Sequence, residues 1–180
     1  MKNRNPGAAR LAANAMLAAM CTVLGGAALR LGGNLEFTFE SVPVHLAALL
    51  FGPIDGAIVG FIGTFIYQVL LSGYGITVTT PLWILPYVVC GLVVGFCTNR
   101  INPLERRTRT IGAIVMGELL ITLLNTLALY VDSVVFSYYS AAFVFGTLAI
   151  RLAVCVAKAV VYGALFPSLL KPLLKTIRRI

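Results

Sequence analysis

Residues 40–56 read ESVPVHLAALLFGPIDG, an apolar run that meets the pair Gly52-Pro53 and then starts again. The eight residues from Val44 to Phe51 can form about 12 Å of helix, too short to cross the ~30 Å hydrocarbon core of a bilayer. Because proline lacks the backbone donor that a helix interior needs, Gly52-Pro53 predicts a turn between two helices. The short helix must be enclosed by protein, since bare backbone is not tolerated in lipid.

The composition places this helical hairpin in a membrane protein. Of the 180 residues, 59% are hydrophobic and only 11% are charged, which is too apolar for a soluble domain of this size. The first apolar run, residues 11–29, is long and is followed by further runs, so it predicts a membrane span rather than a cleavable signal. We therefore expect a single transmembrane domain over residues 1–180.

The net charge of +8 is concentrated in three clusters, which is typical of the cytoplasmic loops of a membrane protein. One cluster precedes the first apolar run, one lies in the polar loop at residues 100–109, and one closes the chain. We expect both termini and this loop to be cytoplasmic. The clusters are Lys2, Arg4 and Arg10; Arg100, Arg106, Arg107 and Arg109; and Lys171, Lys175, Arg178 and Arg179.

The number of crossings follows from these positions. A cytoplasmic N-terminus puts the loop at residues 30–41 outside, whereas the basic loop at residues 100–109 is inside. Two apolar regions, residues 42–71 and 81–97, lie between the two loops. The first region must therefore cross twice, as a hairpin. With further spans near residues 110–131 and 141–166, the sequence predicts an all-α integral membrane protein of six transmembrane helices, with a short, broken second helix.

Five charged or amide side chains lie within the last two spans or at the end of one of them. Glu118, Asn125 and Asp132 are each seven residues apart and share one helix face, as do Arg151 and Lys158. If the two helices are antiparallel with a symmetric turn, Glu118 lies level with Lys158 and Asn125 lies level with Arg151. The first pair predicts a structural ion pair. Asparagine cannot neutralise arginine, so the second pair indicates a site for an anion or polar ligand, unless Asp132 pairs with Arg151.

Aromatic and small residues mark three further helix faces. Trp83 and Tyr87 are four residues apart on one helix face, which favours either an aromatic belt at the membrane interface or a stacking wall for a flat ligand. A stripe of small residues on the first helix permits close approach of another helix; it includes Ala12, Ala15 and Ala19. Gly56, Gly60 and Gly63 form a similar face on the third helix.

Two other classes of protein are weaker interpretations. An intramembrane enzyme would need a cluster of histidine and carboxylate groups, but the single histidine, His45, has no carboxylate on its own short helix. A secondary transporter or channel for a small polar solute would favour two similar halves with matching broken helices, and the sequence shows one broken region. No residue pattern predicts a metal or cofactor site.

Taken together, these features resemble the S components of energy-coupling-factor (ECF) vitamin transporters. The resemblance rests on six helices, a short second helix ending in Leu50-Phe51-Gly52-Pro53, a glycine-rich third helix and the alanine stripe. It covers nearly the whole chain. Residues 39–60 and the spacing of Arg151 and Lys158 are most similar to the folate-type branch.

The resemblance implies a high-affinity binding subunit in a prokaryotic plasma membrane that takes up folate or a similar B-type vitamin. It implies docking through Ala12, Ala15 and Ala19 on a membrane coupling protein, with two ATPase subunits supplying energy. This chain has no phosphate-binding Gly-x-x-x-x-Gly-Lys-[Ser/Thr] loop of its own. The substrate positions that the resemblance implies are Arg30, Asn34, Trp83, Tyr87, Asn125 and Arg151, with Glu40 and His45 beside the mouth of the site.

Overall fold

The computed structural model describes residues 6–30, 36–73, 75–99 and 107–177. Helices account for most of these residues, and the first two helices are joined through a two-stranded antiparallel pair. In chain order the elements are α1 (Pro6–Gly26), β1 (Leu29–Arg30), β2 (Glu36–Phe37), α2 (Ser41–Phe51), α3 (Pro53–Leu70), α4 (Thr80–Thr98), α5 (Arg107–Val135), α6 (Ala141–Phe145) and α7 (Leu148–Ile177).

The predicted helical hairpin at Gly52-Pro53 is confirmed. The helix α2 has 11 residues, or about 16 Å, and α3 begins at Pro53 directly after Gly52. Gly52 adopts φ +105°, a conformation that favours glycine. Surrounding helices enclose the short helix, and Val44, His45 and Ala47 are fully buried. The protein therefore shields the helix that is too short to span a bilayer.

Five segments in the described part of the chain are long and apolar enough to cross a membrane, and α2 adds a sixth, shorter helix. The first four of these segments are α1, α3, α4 and α5. The fifth extends over Ala141–Leu170 and contains α6 and α7. These elements agree with the predicted arrangement of six helices.

Small residues allow α3 to approach its neighbours closely, as its glycine face predicts. A Cβ on Gly60 would lie 2.7 Å from the backbone oxygen of Tyr87 in α4, and one on Gly63 would lie 2.5 Å from Cβ of Cys21 in α1. A Cβ on Gly91 of α4 would lie 2.3 Å from the carbonyl carbon of Gly56 in α3. Side chains at these glycines would push α1, α3 and α4 apart.

One end of the molecule, which we call the basic end, is identified by three contacts. The Arg10 guanidinium at the start of α1 pairs with the Asp55 carboxylate and donates to the Phe51 backbone oxygen, beside the turn between α2 and α3. Arg107 at the start of α5 donates to the backbone oxygen of Gly163 in α7, at 3.4 Å. The end of α4, which precedes α5, lies beside the same turn between α2 and α3, because a Cβ on Gly95 would be 2.3 Å from Cα of Pro53. The start of α1 and the start of α5 therefore lie on one side, as an even number of crossings requires. That this side is cytoplasmic stays a prediction.

The all-α fold class is confirmed, and the structure adds two local features that were not expected. A short antiparallel pair joins β1 to β2, with Leu29 opposite Phe37 and Arg30 opposite Glu36. This pairing supplies partners for backbone groups that a loop would leave to solvent. The sixth span is interrupted by a turn at Gly146 and Thr147, so that α6 and α7 replace the continuous helix expected over residues 141–166.

Candidate ligand-binding cavity

A cavity of about 610 Å³ opens among α3, α4, α5 and α7, toward the end opposite the basic end. Its volume lies within the range of small-molecule sites, and its lining mixes aromatic, polar and charged side chains. The lining residues are Thr38, Glu40, Tyr67, Gln68, Ser72, Gly75, Thr77, Trp83, Tyr87, Glu118, Ile121, Thr122, Asn125, Leu129, Asp132, Phe136, Tyr138, Phe143, Arg151, Val154, Cys155 and Lys158.

The aromatic wall of the cavity comes from α4. Trp83 and Tyr87 both line it, and Tyr87 is only 7% exposed. The close approach of Gly60 to the Tyr87 backbone seats this part of α4 firmly against α3. The sequence left two interpretations of the Trp83–Tyr87 face, an aromatic belt and a wall of a ligand site. In the structure both residues line the cavity.

The middle of the cavity carries Arg151 of α7. Its side chain is half-buried, and Nη1 donates to Oγ1 of Thr126 over 3.4 Å. The Thr126 hydroxyl in turn donates to the Thr122 backbone oxygen at 2.8 Å. Asn125 lines the cavity as well, and its buried Oδ1 has no hydrogen-bond partner among the residues that the structure describes. A cation and an amide thus face the same space.

The floor of the cavity is a buried charge cluster of Glu118, Lys158 and His45. The Lys158 ammonium donates to Oε2 of Glu118 at 2.8 Å, so the pair that equal depth predicts is in direct contact. His45 Nε2 lies 2.9 Å from Oε1 of the same carboxylate, and His45 Nδ1 lies 3.8 Å from Sγ of Cys90. The cluster joins α2, α5 and α7. Two of its three members, Glu118 and Lys158, line the cavity.

The mouth of the cavity is organised around Asp132. Its carboxylate accepts hydrogen bonds from the Thr79 hydroxyl, just before α4, and from the Tyr138 hydroxyl, just after α5. If Asp132 paired with Arg151, as in the alternative interpretation, its carboxylate would have to share that contact with the hydrogen bonds from Thr79 and Tyr138. The contacts hold together two loops that border the opening.

Five of the eight predicted substrate positions line the cavity, and one, His45, does not. The structure places His45 behind Glu118 rather than at the mouth, because the ring is fully buried and bonded to that carboxylate. Arg30 lies in β1, where its side chain is not described, and Asn34 lies outside the described residues. The five that line the cavity are Glu40, Trp83, Tyr87, Asn125 and Arg151.

Several lining residues were not among the predicted positions. Gln68, near the end of α3, is a polar residue in an apolar helix, which is a signal for an internal site. Thr122 follows Glu118 by four residues and shares its face. The sequence pattern predicts only an ion pair for Lys158, whereas in the structure Lys158 also lines the cavity. Thr38 and Thr77 come from loops, where no periodic pattern could have indicated them.

The alanine stripe of α1 lies away from the cavity and on the surface. Ala12, Ala15 and Ala19 are exposed, whereas Ala18 and Cys21 on the neighbouring face are buried against α3. The small side chains thus leave a shallow helix face that no described element covers.

The fold and the cavity define a membrane-embedded substrate-binding protein. The sequence matches the family described as "ECF transporter, substrate-specific component" over residues 9–178, and the chain belongs to this family. It is accordingly a multi-pass protein of the cell membrane and a transport subunit, not an enzyme.

Solved structures agree on the fold. A crystal structure of the S component for biotin from an ECF-type ABC transporter superposes with a TM-score of 0.69 and covers 95% of each chain, at 16% sequence identity. At this identity the similarity concerns the fold alone. A search of curated proteins found no match.

Proposed function

We propose that the cavity binds a vitamin, with folate or a similar B-type vitamin as the best candidate. The chain then delivers the vitamin to the ECF module for ATP-driven uptake. The observation that carries this proposal is that Arg151 of α7 and Asn125 of α5 line the same cavity as Trp83 and Tyr87 of α4. A flat ligand with an acidic group would find both a stacking surface and a cation.

The chemistry of these groups suits such a ligand. Arginine presents a rigid fork of donors that matches a carboxylate, and the half-buried position of Arg151 strengthens the attraction relative to bulk water. Asn125 can both donate to and accept from a polar group. The rings of Trp83 and Tyr87 offer large apolar faces. The biotin S component with the same fold supports a ligand of vitamin size.

The first experiment identifies the ligand. Small molecules released from the detergent-purified protein are analysed by mass spectrometry, and the released vitamin is then titrated calorimetrically into wild-type protein and variants. Losing a charge-assisted contact in a buried site costs about 2–5 kcal/mol, so Arg151→Ala should weaken binding ~30- to several-thousand-fold.

Arg109→Ala is the matched control, because Arg109 is an exposed arginine near the start of α5, at the basic end. It should bind like wild type. If Arg151→Ala binds as tightly as Arg109→Ala, the assignment of Arg151 to the ligand is wrong.

The partners in this proposal are a membrane coupling protein and two ATPase subunits. The exposed alanine face of α1 supports docking of the coupling protein. In lipid the hydrophobic effect does not drive helices together, so their association depends on the close packing that small residues permit. Affinity purification of the tagged chain from its native membrane, with identification of co-purified ATPase subunits, tests the assembly. Recovery of the chain without any ATPase would contradict it.

A further inference from the structure

His45 carries the short helix α2 into the centre of the bundle, where its ring is fully buried. Nε2 lies 2.9 Å from Oε1 of Glu118 in α5, and Nδ1 lies 3.8 Å from Sγ of Cys90 in α4. Because a carboxylate only accepts, Nε2 carries the hydrogen and donates it to Glu118. The ring therefore stands between the floor of the cavity and the Cys90 thiol.

Two aromatic rings of α7 form a layer with His45. The rings of Tyr162 and Phe166 lie edge-on to the imidazole, with centroids 5.8 and 5.9 Å from it, and are 5.7 Å from each other. The Tyr162 hydroxyl also shares a hydrogen bond of 3.0 Å with the hydroxyl of Ser41, at the start of α2. We call His45, Tyr162 and Phe166 the ring layer. Through these side chains α2 is joined to α7.

The cavity ends at the ring layer. Glu118 and Lys158 line the cavity, whereas His45, directly behind Glu118, does not. The imidazole fits there because position 117 is glycine: a Cβ at Gly117 would lie 2.9 Å from Cε1 of His45 and 2.8 Å from Cγ2 of Val94 in α4. The ring therefore occupies the space between α4, α5 and α7 beneath the floor.

A short length of protein separates the ring layer from the basic end. Phe51, where α2 ends, lies about 9 Å along the helix from His45. Its backbone oxygen accepts from Arg10 at the basic end. In the other direction the cavity continues along α5 as far as Asp132. The barrier between the cavity and the basic end is thus less than two helical turns deep, and the ring layer is the part that meets the cavity.

We propose that His45 is the inner stop of the cavity: its ring limits how deep a bound molecule can enter and separates the cavity from the basic end. His45 acts through its position and not as a ligand contact. An apolar ring would fill the same space, but it would leave Oε1 of Glu118 without this donor, which explains why the stop is a histidine. The inference holds for any small molecule that the cavity binds, so it can fail while the proposed function stands.

The native cysteines test this barrier without a ligand. Purified wild type and His45→Ala are treated with methyl methanethiosulfonate, a small neutral thiol reagent, and the rate of modification of each cysteine is measured by peptide mass spectrometry. In the wild type the fully buried Cys90 should react only through local opening. Removing the ring leaves a space that borders the Glu118 carboxylate and can admit water. Cys90 should then react at least about tenfold faster.

Cys21 is the internal control, because it is also fully buried but packs against Gly63 between α1 and α3. Its rate should stay at the wild-type value. An equal rise at Cys21 and Cys90 would show general loosening and would overturn the inference, as would an unchanged rate at Cys90. His45→Asn removes the ring but keeps an N–H donor for Glu118, so it gives the same readout if His45→Ala does not fold.

His45→Phe separates the ring from its hydrogen bond. This variant keeps a ring in the layer but has no donor for Glu118, so the protein should melt at a lower temperature than the wild type. Cys90 should nevertheless stay as protected as in the wild type. Modification of Cys90 as fast as in His45→Ala would show that the ring is not the barrier and would overturn the inference.

Discussion

Replacing Lys158 with methionine tests the floor of the cavity most directly. In the wild type, Glu118 is fully buried and touches Lys158 at 2.8 Å and His45 at 2.9 Å. Lys158→Met removes the cation and leaves a buried carboxylate with His45 alone. Breaking a buried pair in this way costs about 3–5 kcal/mol of stability. In a chain of this size 1 kcal/mol corresponds to about 2–4 °C, so the melting temperature should fall by roughly 6–20 °C.

The second half of the test restores the balance of charge. Glu118→Gln combined with Lys158→Met leaves no uncompensated charge, and the glutamine can still reach His45. We expect the double variant to recover at least half of the loss, because the cost of a broken pair lies chiefly in the unpaired ion. Thermal unfolding of wild type, both single variants and the double variant in one detergent completes a double-mutant cycle.

Two results would refute this reasoning. A double variant whose loss equals the sum of the single losses would show no coupling between Glu118 and Lys158. A Lys158→Met variant that melts like wild type but loses ligand as severely as Arg151→Ala would show that Lys158 serves the ligand and not the fold. The second result matters because Lys158 also borders the cavity.

Three further predictions concern other parts of the molecule. Ala15→Trp should abolish uptake yet retain ligand binding, because a bulky ring prevents close helix approach. Met20→Trp, on a different exposed face of α1, should transport normally. Equal transport by both variants would exclude the alanine face as the docking site. Arg106→Cys, in a background without native cysteines, should react with an impermeant thiol reagent only from the cytoplasmic side, and labelling from outside would contradict the predicted topology. Gly60→Ala should destabilise the protein by about 1–3 kcal/mol through its clash with α4, while Gly112→Ala, which meets open space on α5, should be neutral or stabilising in the same melting assay.

Much of the fold could be predicted because membrane constraints leave few alternatives. The Gly52-Pro53 pair and the short apolar run before it admit a hairpin but not a single span. The distribution of arginine and lysine then makes the number of crossings even. Neither inference needs knowledge of distant contacts.

The break between α6 and α7 illustrates what the sequence pattern does not reveal. Residues on both sides of Gly146 and Thr147 are equally apolar, so hydrophobicity continues through the turn. A single glycine inside an apolar helix is tolerated often enough that it predicts no break by itself. In the structure α6 packs beside α5, a contact that the apolar pattern around Gly146 does not encode.

The histidine of the floor shows a second limit. The register argument relates α5 to α7 because they are consecutive and antiparallel, and it pairs Glu118 with Lys158. It cannot relate α5 to α2, because His45 of α2 lies 73 residues before Glu118 along the chain. The helix of His45 itself carries no carboxylate, although that of Glu118 lies 2.9 Å from His45 Nε2 in space.

The three polar residues of α5 also indicate the shape of the ligand. Glu118 lies at the floor, Asn125 in the middle and Asp132 at the mouth, and all three line the cavity. Fourteen residues of helix separate the first from the last, a rise of about 21 Å. A cavity lined over this depth is elongated along α5. We therefore expect a long, flat ligand to fill it better than a compact one, with its ring beside Trp83 and Tyr87.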